Sequence, residues 1–135
     1  MNGVLTCDLS VRETDGAVIV CPGIGKTVLP AYKRMLSVNM VKEQGPWAKV
    51  LGKEHDFVHV RRLMNINGEF DVFSELYLSG SRFRTLIDMD LPELDGTSIR
   101  DLLSDRFNAP TLGIEQTFRC MTLPPRVCRE INVPH

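Results

Sequence analysis

The sequence predicts an α+β domain built on a mainly antiparallel sheet of hairpins, with short helices on one face. Three observations carry that expectation. Runs of alternating apolar and polar residues are interrupted by Asn67-Gly68 and Asp15-Gly16, dipeptides that accept the positive φ angles of tight hairpin turns. The helical stretches are short, and Pro or Ser opens the clearest of them. Finally, hairpins and short helices are mixed along the chain rather than segregated.

The elements follow in order. Val4 to Cys21 reads as a first hairpin turning at Asp15-Gly16, ended by Pro22-Gly23. The stretch GIGKT at 23–27 suggests a phosphate loop, but the required first glycine falls on Val20 and no helical pattern follows, so 22–31 is expected to be a loop. Met35 to Val41 is a strand. Pro46 opens a short helix that Gly52 closes. The second hairpin is FVHVRRLMNINGEFDVFSELYL, residues 57–78, turning at Asn67-Gly68. Gly80 to Ile87 is a short helix. Ser98 to Arg106 is the clearest one, because Ser98 and Asp101 match a capping box and Ile99, Leu102 and Leu103 form a stripe. Leu112 to Met121 alternates as a strand, and Pro125 starts a last helix over 125–131. The chain shows no internal repeat or low-complexity tract, so residues 1–135 read as one domain.

Composition narrows the function. Hydrophobic residues make up 43% and charged residues 24%, as in an ordinary soluble globular protein. The net charge of −1 carries no basic footprint, which argues against direct nucleic-acid binding by this chain. The apolar run Ala17 to Cys21 is far too short to span a membrane, and Met1-Asn2-Gly3 does not begin a secretory leader. Cys7, Cys21, Cys120 and Cys128 form no CxxC pair and are expected to be free thiols in a cytoplasmic protein. His55 and His59, four residues apart on a strand, would lie roughly 13 Å apart and cannot share a metal. No metal or other cofactor is expected, and nothing marks a Cys–His nucleophile pair.

The unusual feature is Arg61-Arg62 inside a strand. A two-residue turn would set 62 across from 73 and 61 across from 74. Val58, Val60, Arg62 and Met64 would then share a face with Asp71, Phe73, Glu75 and Tyr77. Phe57, His59, Arg61 and Leu63 would share the other, more apolar face with Val72, Ser74, Leu76 and Leu78, and this face would meet the helices. A desolvated arginine needs an anion. Cross-strand pairing of Arg62 with Asp71 or Glu75 is one answer, and a phosphate or carboxylate ligand is the other.

The run VRRLMNINGEFDVFSELYL, followed by RF, TSIRDLLSDRFNAP, IEQT and INVP, resembles the UTRA domain over residues 35–134. That domain is the effector-binding part of HutC-type GntR transcription regulators and shares the chorismate lyase fold. The resemblance implies a homodimeric sensor of a small acidic or polar metabolite. It aligns Arg62 with the first arginine of the family's R-x-R pair, which contacts the effector's acidic group. Ser98 aligns with a helix-start serine that helps hold phosphate, a role suited to the free N–H groups and dipole of a helix N-terminus. Met64 stands at the second arginine position, and Ser74 at the family's strand glutamate with Glu75 beside it, which points to a less charged ligand. The family's winged helix-turn-helix has no counterpart in the first 34 residues. The hairpin within residues 1–30 is expected to take the place of the family's C-terminal hairpin, as in a circular permutation.

The leading expectation is therefore a ligand-binding domain, with Arg62, Ser98, Arg61, Glu75 and Tyr77 as candidate ligand-binding residues and no catalytic residue assigned. Two alternatives stand beside it. A chorismate lyase-type enzyme would use Arg62 with Glu75 or Glu115. A structural or dimerisation domain would carry a degenerate pocket.

Overall fold

The computed structural model describes residues 30–113 and 121–134. Within them a three-stranded antiparallel sheet runs β1 (Ala31–Val41), β2 (Phe57–Ile66) and β3 (Phe70–Ser79), in that spatial order, with β2 central. The helices are α1 (Pro46–Leu51), α2 (Gly80–Phe83), α3 (Leu91–Leu94), α4 (Ile99–Phe107) and α5 (Pro125–Glu130), with a 3-10 turn over Arg84–Asp88. The fold is α+β, as the sequence predicts. The expected hairpin at 4–21 lies outside the described residues, as does the expected loop 22–31 up to residue 29; the loop's last residue, Ala31, instead opens β1, four residues before the expected strand start at Met35. Most of the expected strand Leu112–Met121 also lies outside the described residues, while Leu112, Gly113 and Met121 themselves are not in a strand.

Local chemistry explains the element ends. Pro46 and Pro125 stand at the first turns of α1 and α5, where a missing N–H costs nothing. Ser98 caps α4, its Oγ accepting from the Asp101 N–H at 3.4 Å. Asn108 closes α4 in the left-handed region at φ 49°. The expected helix 80–87 is split. Phe83 and Leu86 are both buried three residues apart, and 3-10 winding keeps such positions in line. Sequence reading missed α3, a single turn whose Leu94 is buried.

The 57–78 hairpin forms as expected, with one change of register. Asn67 and Gly68 take φ angles of 53° and 72°, and Glu69 N–H donates to the Ile66 carbonyl at 2.9 Å. Glu69 is then left out of the ladder, so Ile66 pairs with Phe70 rather than Glu69. A one-residue slip exchanges the partner's entire set of side chains. Arg62 therefore faces Ser74, and Arg61 faces Glu75. Val58, Val60, Arg62 and Met64 share a face with Val72, Ser74, Leu76 and Leu78. Phe57, His59, Arg61 and Leu63 share theirs with Asp71, Phe73, Glu75 and Tyr77.

This corrects the expectation of which face meets the core. Val58, Val60 and Leu78 pack with Met35 and Val38 of β1 against Phe83, Leu86, Leu94, Ile99 and Leu102. The Arg62 face is the core face. A bulge between Met35 and Ser37 resets β1 against β2, placing Met35 opposite Arg62 and Ser37 opposite Arg61. Asp95 Oδ1 accepts the Met35 N–H at 2.6 Å, and Gly96 N–H donates to the Lys33 carbonyl, which ties the turn after α3 to β1.

Helices do not keep to one face. On the Arg61 face, Trp47 of α1 stacks on Tyr77, while Arg126 and Glu130 of α5 pair with Glu75 and Arg61. Both faces of β2 carry apolar groups, so each recruits its own cover.

Candidate functional site

Arg62 lies on the central strand, between Met35 on β1 and Ser74 on β3. Its side chain is half-buried, and desolvation pushes the guanidinium below its ordinary pKa. Nε is buried with no hydrogen-bond partner, and no carboxylate pairs with Arg62 among the described residues. The expected cross-strand ion pair is thus replaced. Asp71 accepts from Asn65 at 2.8 Å, and Glu75 points to the opposite face. Ser98 belongs to the Arg62 side of the sheet, since Ile99 and Leu102 of its helix enter the same core.

Arg61, Glu75 and Tyr77 come together on the other face. Arg126 grips Glu75 with two hydrogen bonds, 2.9 Å to Oε1 and 3.1 Å to Oε2. His59 Nε2 approaches the same Oε1 at 3.2 Å. The Arg126 guanidinium is the main reason the Glu75 carboxyl sits below the ordinary carboxylate range. Arg61 donates through Nη2 to Glu130 Oε1 and lies over the Phe73 ring at 5.4 Å. Tyr77 stacks with Trp47 at 3.6 Å between ring centroids and with His59 at 4.5 Å. Burial, reinforced by Glu75, raises the Tyr77 hydroxyl pKa.

The candidate residues accordingly divide. Arg62 and Ser98 belong to the core side, while Arg61, Glu75 and Tyr77 form a cluster with His59, Trp47, Arg126 and Glu130. Sequence reading missed Arg126, Glu130 and Trp47 and weighed His59 only as a metal ligand. The spacing of Arg126 and Glu130, one helical turn apart in a short terminal helix, was the available signal. No group of three or more His, Cys, Asp or Glu residues gathers among the described residues. An apolar cleft of about 380 Å³ opens beside α5, around Leu123, Cys128 and Val133, and none of the candidate residues lines it. Cys128 itself is a buried free thiol, and the other cysteines lie outside the described residues.

Among the described residues, no helix is long and apolar enough to cross a membrane. Comparison of the chain with family models, curated proteins and solved structures gave no match. The likeness to the UTRA domain rests on the sequence motifs quoted above.

Ser98 has a structural role that needs no ligand. Replacing it with Ala should cost about 1 kcal/mol through loss of the α4 cap. Urea unfolding of the ligand-free protein measures this as a lower midpoint with an unchanged slope. An unchanged midpoint would leave Ser98 without a capping role and strengthen its reading as a ligand residue.

Proposed function

We propose that this chain is a small-molecule effector-binding domain of UTRA type, with a chorismate lyase-like fold, that senses a small acidic or polar metabolite through Arg62. It acts as a cytoplasmic homodimer and makes no direct contact with nucleic acid. The observation that carries this reading is the condition of Arg62: a half-buried guanidinium with an unpartnered Nε and no carboxylate partner among the described residues. An unpaired desolvated charge is costly, and a bound anion would offset that cost. The single arginine, with Met64 where the family carries another, suits a singly charged or polar ligand better than a sugar phosphate.

One of the two candidate acids of a lyase-type enzyme, Glu75, lies on the opposite face from Arg62, which favours the binding reading; the other, Glu115, lies outside the described residues. The Arg61 face supports the structural alternative for that side of the sheet, since its charges pair with one another.

The test is thermal melting against phosphate, sugar phosphates, amino acids, dicarboxylates and chorismate. A ligand at about 100 times its Kd adds about 2.7 kcal/mol to the native state and raises Tm accordingly. The shift should vanish in Arg62→Met. The unliganded Arg62→Met protein should melt at or above the wild-type temperature, because the substitution removes an unpaired charge and keeps the apolar stem. No Tm increase with any of these compounds, or a shift that survives Arg62→Met in a protein that also carries Arg61→Gln, would refute the anchor role of Arg62.

A further inference from the structure

Arg61 does not pair with the residue that faces it. Glu75 lies directly across the β2–β3 ladder, but its carboxylate is taken by Arg126 and His59. Arg61 reaches instead to Glu130, 69 residues along the chain, in α5. We propose that Arg61 is a second anion site, specific for a small monocarboxylate and closed in this conformation by the chain's own Glu130.

Several features of the cluster support a carboxylate that can be exchanged. The Arg61 and Glu130 side chains retain 30% and 33% of their exposure, so water reaches the pair and weakens its hold. The helix that presents Glu130 has six residues and buries only Cys128. Among the described residues, Glu130 engages one guanidinium N–H with one oxygen. A guanidinium offers a fork of donors that matches both oxygens of a carboxylate. A free ligand is not held to the geometry of α5 and can use that fork in full.

The surroundings define the ligand class. The Phe73 ring, 5.4 Å from the Arg61 Cζ, provides an apolar wall for a short alkyl group. Ser37 stands opposite Arg61 on β1, and its Oγ is buried without a partner among the described residues, a donor available to a second oxygen. The Glu75 carboxylate across the ladder penalises a doubly charged phosphate more than a singly charged carboxylate. Glu130 to Arg61 and Arg126 to Glu75 both tie α5 to the sheet, so displacement of Glu130 would remove one of these ties and couple occupancy of the site to the position of α5. The inference is independent of the Arg62 reading, because the two guanidinium groups lie on opposite faces of β2.

The experiment titrates the full chain with sodium acetate, against sodium chloride at equal ionic strength, and follows the Arg61 Nε–H resonance by NMR. Reading at Arg61 keeps any anion bound at Arg62 out of the result. In Glu130→Gln the half-saturating acetate concentration should fall about fivefold relative to wild type, the gain expected when a weak internal competitor is removed. Chloride should not reproduce the shift, and Arg61→Gln combined with Glu130→Gln should abolish acetate-specific changes at Phe73 and Ser37. Glu130→Asp, which keeps the charge on a shorter side chain, should fall between wild type and Glu130→Gln, and it decides the matter if Glu130→Gln does not fold. The site is refuted if acetate acts no differently from chloride in these variants, or if the acetate response at Phe73 and Ser37 survives removal of Arg61.

Discussion

Phe57→Ala is expected to cost about 3–5 kcal/mol, a large part of the roughly 5–15 kcal/mol that holds a typical domain together. The Phe57 side chain has no exposed surface, and it opens the central strand, where it pairs with Val41 on one side and Ser79 on the other. The Trp47 ring meets it edge-on at 6.5 Å between centroids. Trp47 in turn stacks on Tyr77, so Phe57 supports the aromatic wall of the Arg61 cluster. Removing the ring leaves a cavity that β2 cannot close without breaking both of its ladders. Urea unfolding followed by the fluorescence of Trp47, the single tryptophan, reads the loss directly. A cost below about 1 kcal/mol would mean that the strand's start relaxes freely, against its observed burial.

Gly80→Ala is expected to lower Tm by roughly 3–10 °C, through overpacking worth about 1–3 kcal/mol. A Cβ built on Gly80 would lie 2.3 Å from the Asp56 carbonyl oxygen and 2.6 Å from its carbon. The obstacle is backbone, so no rotamer change relieves it. The same carbonyl accepts the Gly80 N–H at 2.9 Å, which fixes the junction of β3 and α2 against the entry of β2. Ala must push these apart or weaken that bond. A thermal melt of the variant decides it, and an unchanged Tm would show that the junction is not held as described.

Much of the frame was legible from residue chemistry. Asn67-Gly68 marked the turn because both residues accept positive φ. Ser98 with Asp101 marked the start of α4, and Pro46 and Pro125 marked α1 and α5. The division of the candidate site was not read correctly, because it depended on one residue. Whether Glu69 enters the ladder decides whether Arg61 or Arg62 joins Glu75 and Tyr77. Alternation could not choose the register, since both faces of β2 mix apolar and charged groups. Pair chemistry could have helped: the observed register opposes Arg61 to Glu75, Asn65 to Asp71 and Leu63 to Phe73.

By itself, then, the sequence determined the hairpin, the turn, the helix starts and the α+β class, because each depends on local backbone preferences carried by a few neighbouring residues. Tertiary structure alone decided that Arg62 lies on the core side without a carboxylate partner among the described residues, and that Arg61 meets a glutamate 69 residues away. Those outcomes depend on cross-strand register, on the bulge in β1 and on the docking of α5. Such long-range choices are settled by how surfaces pack, and no local stretch of residues encodes them.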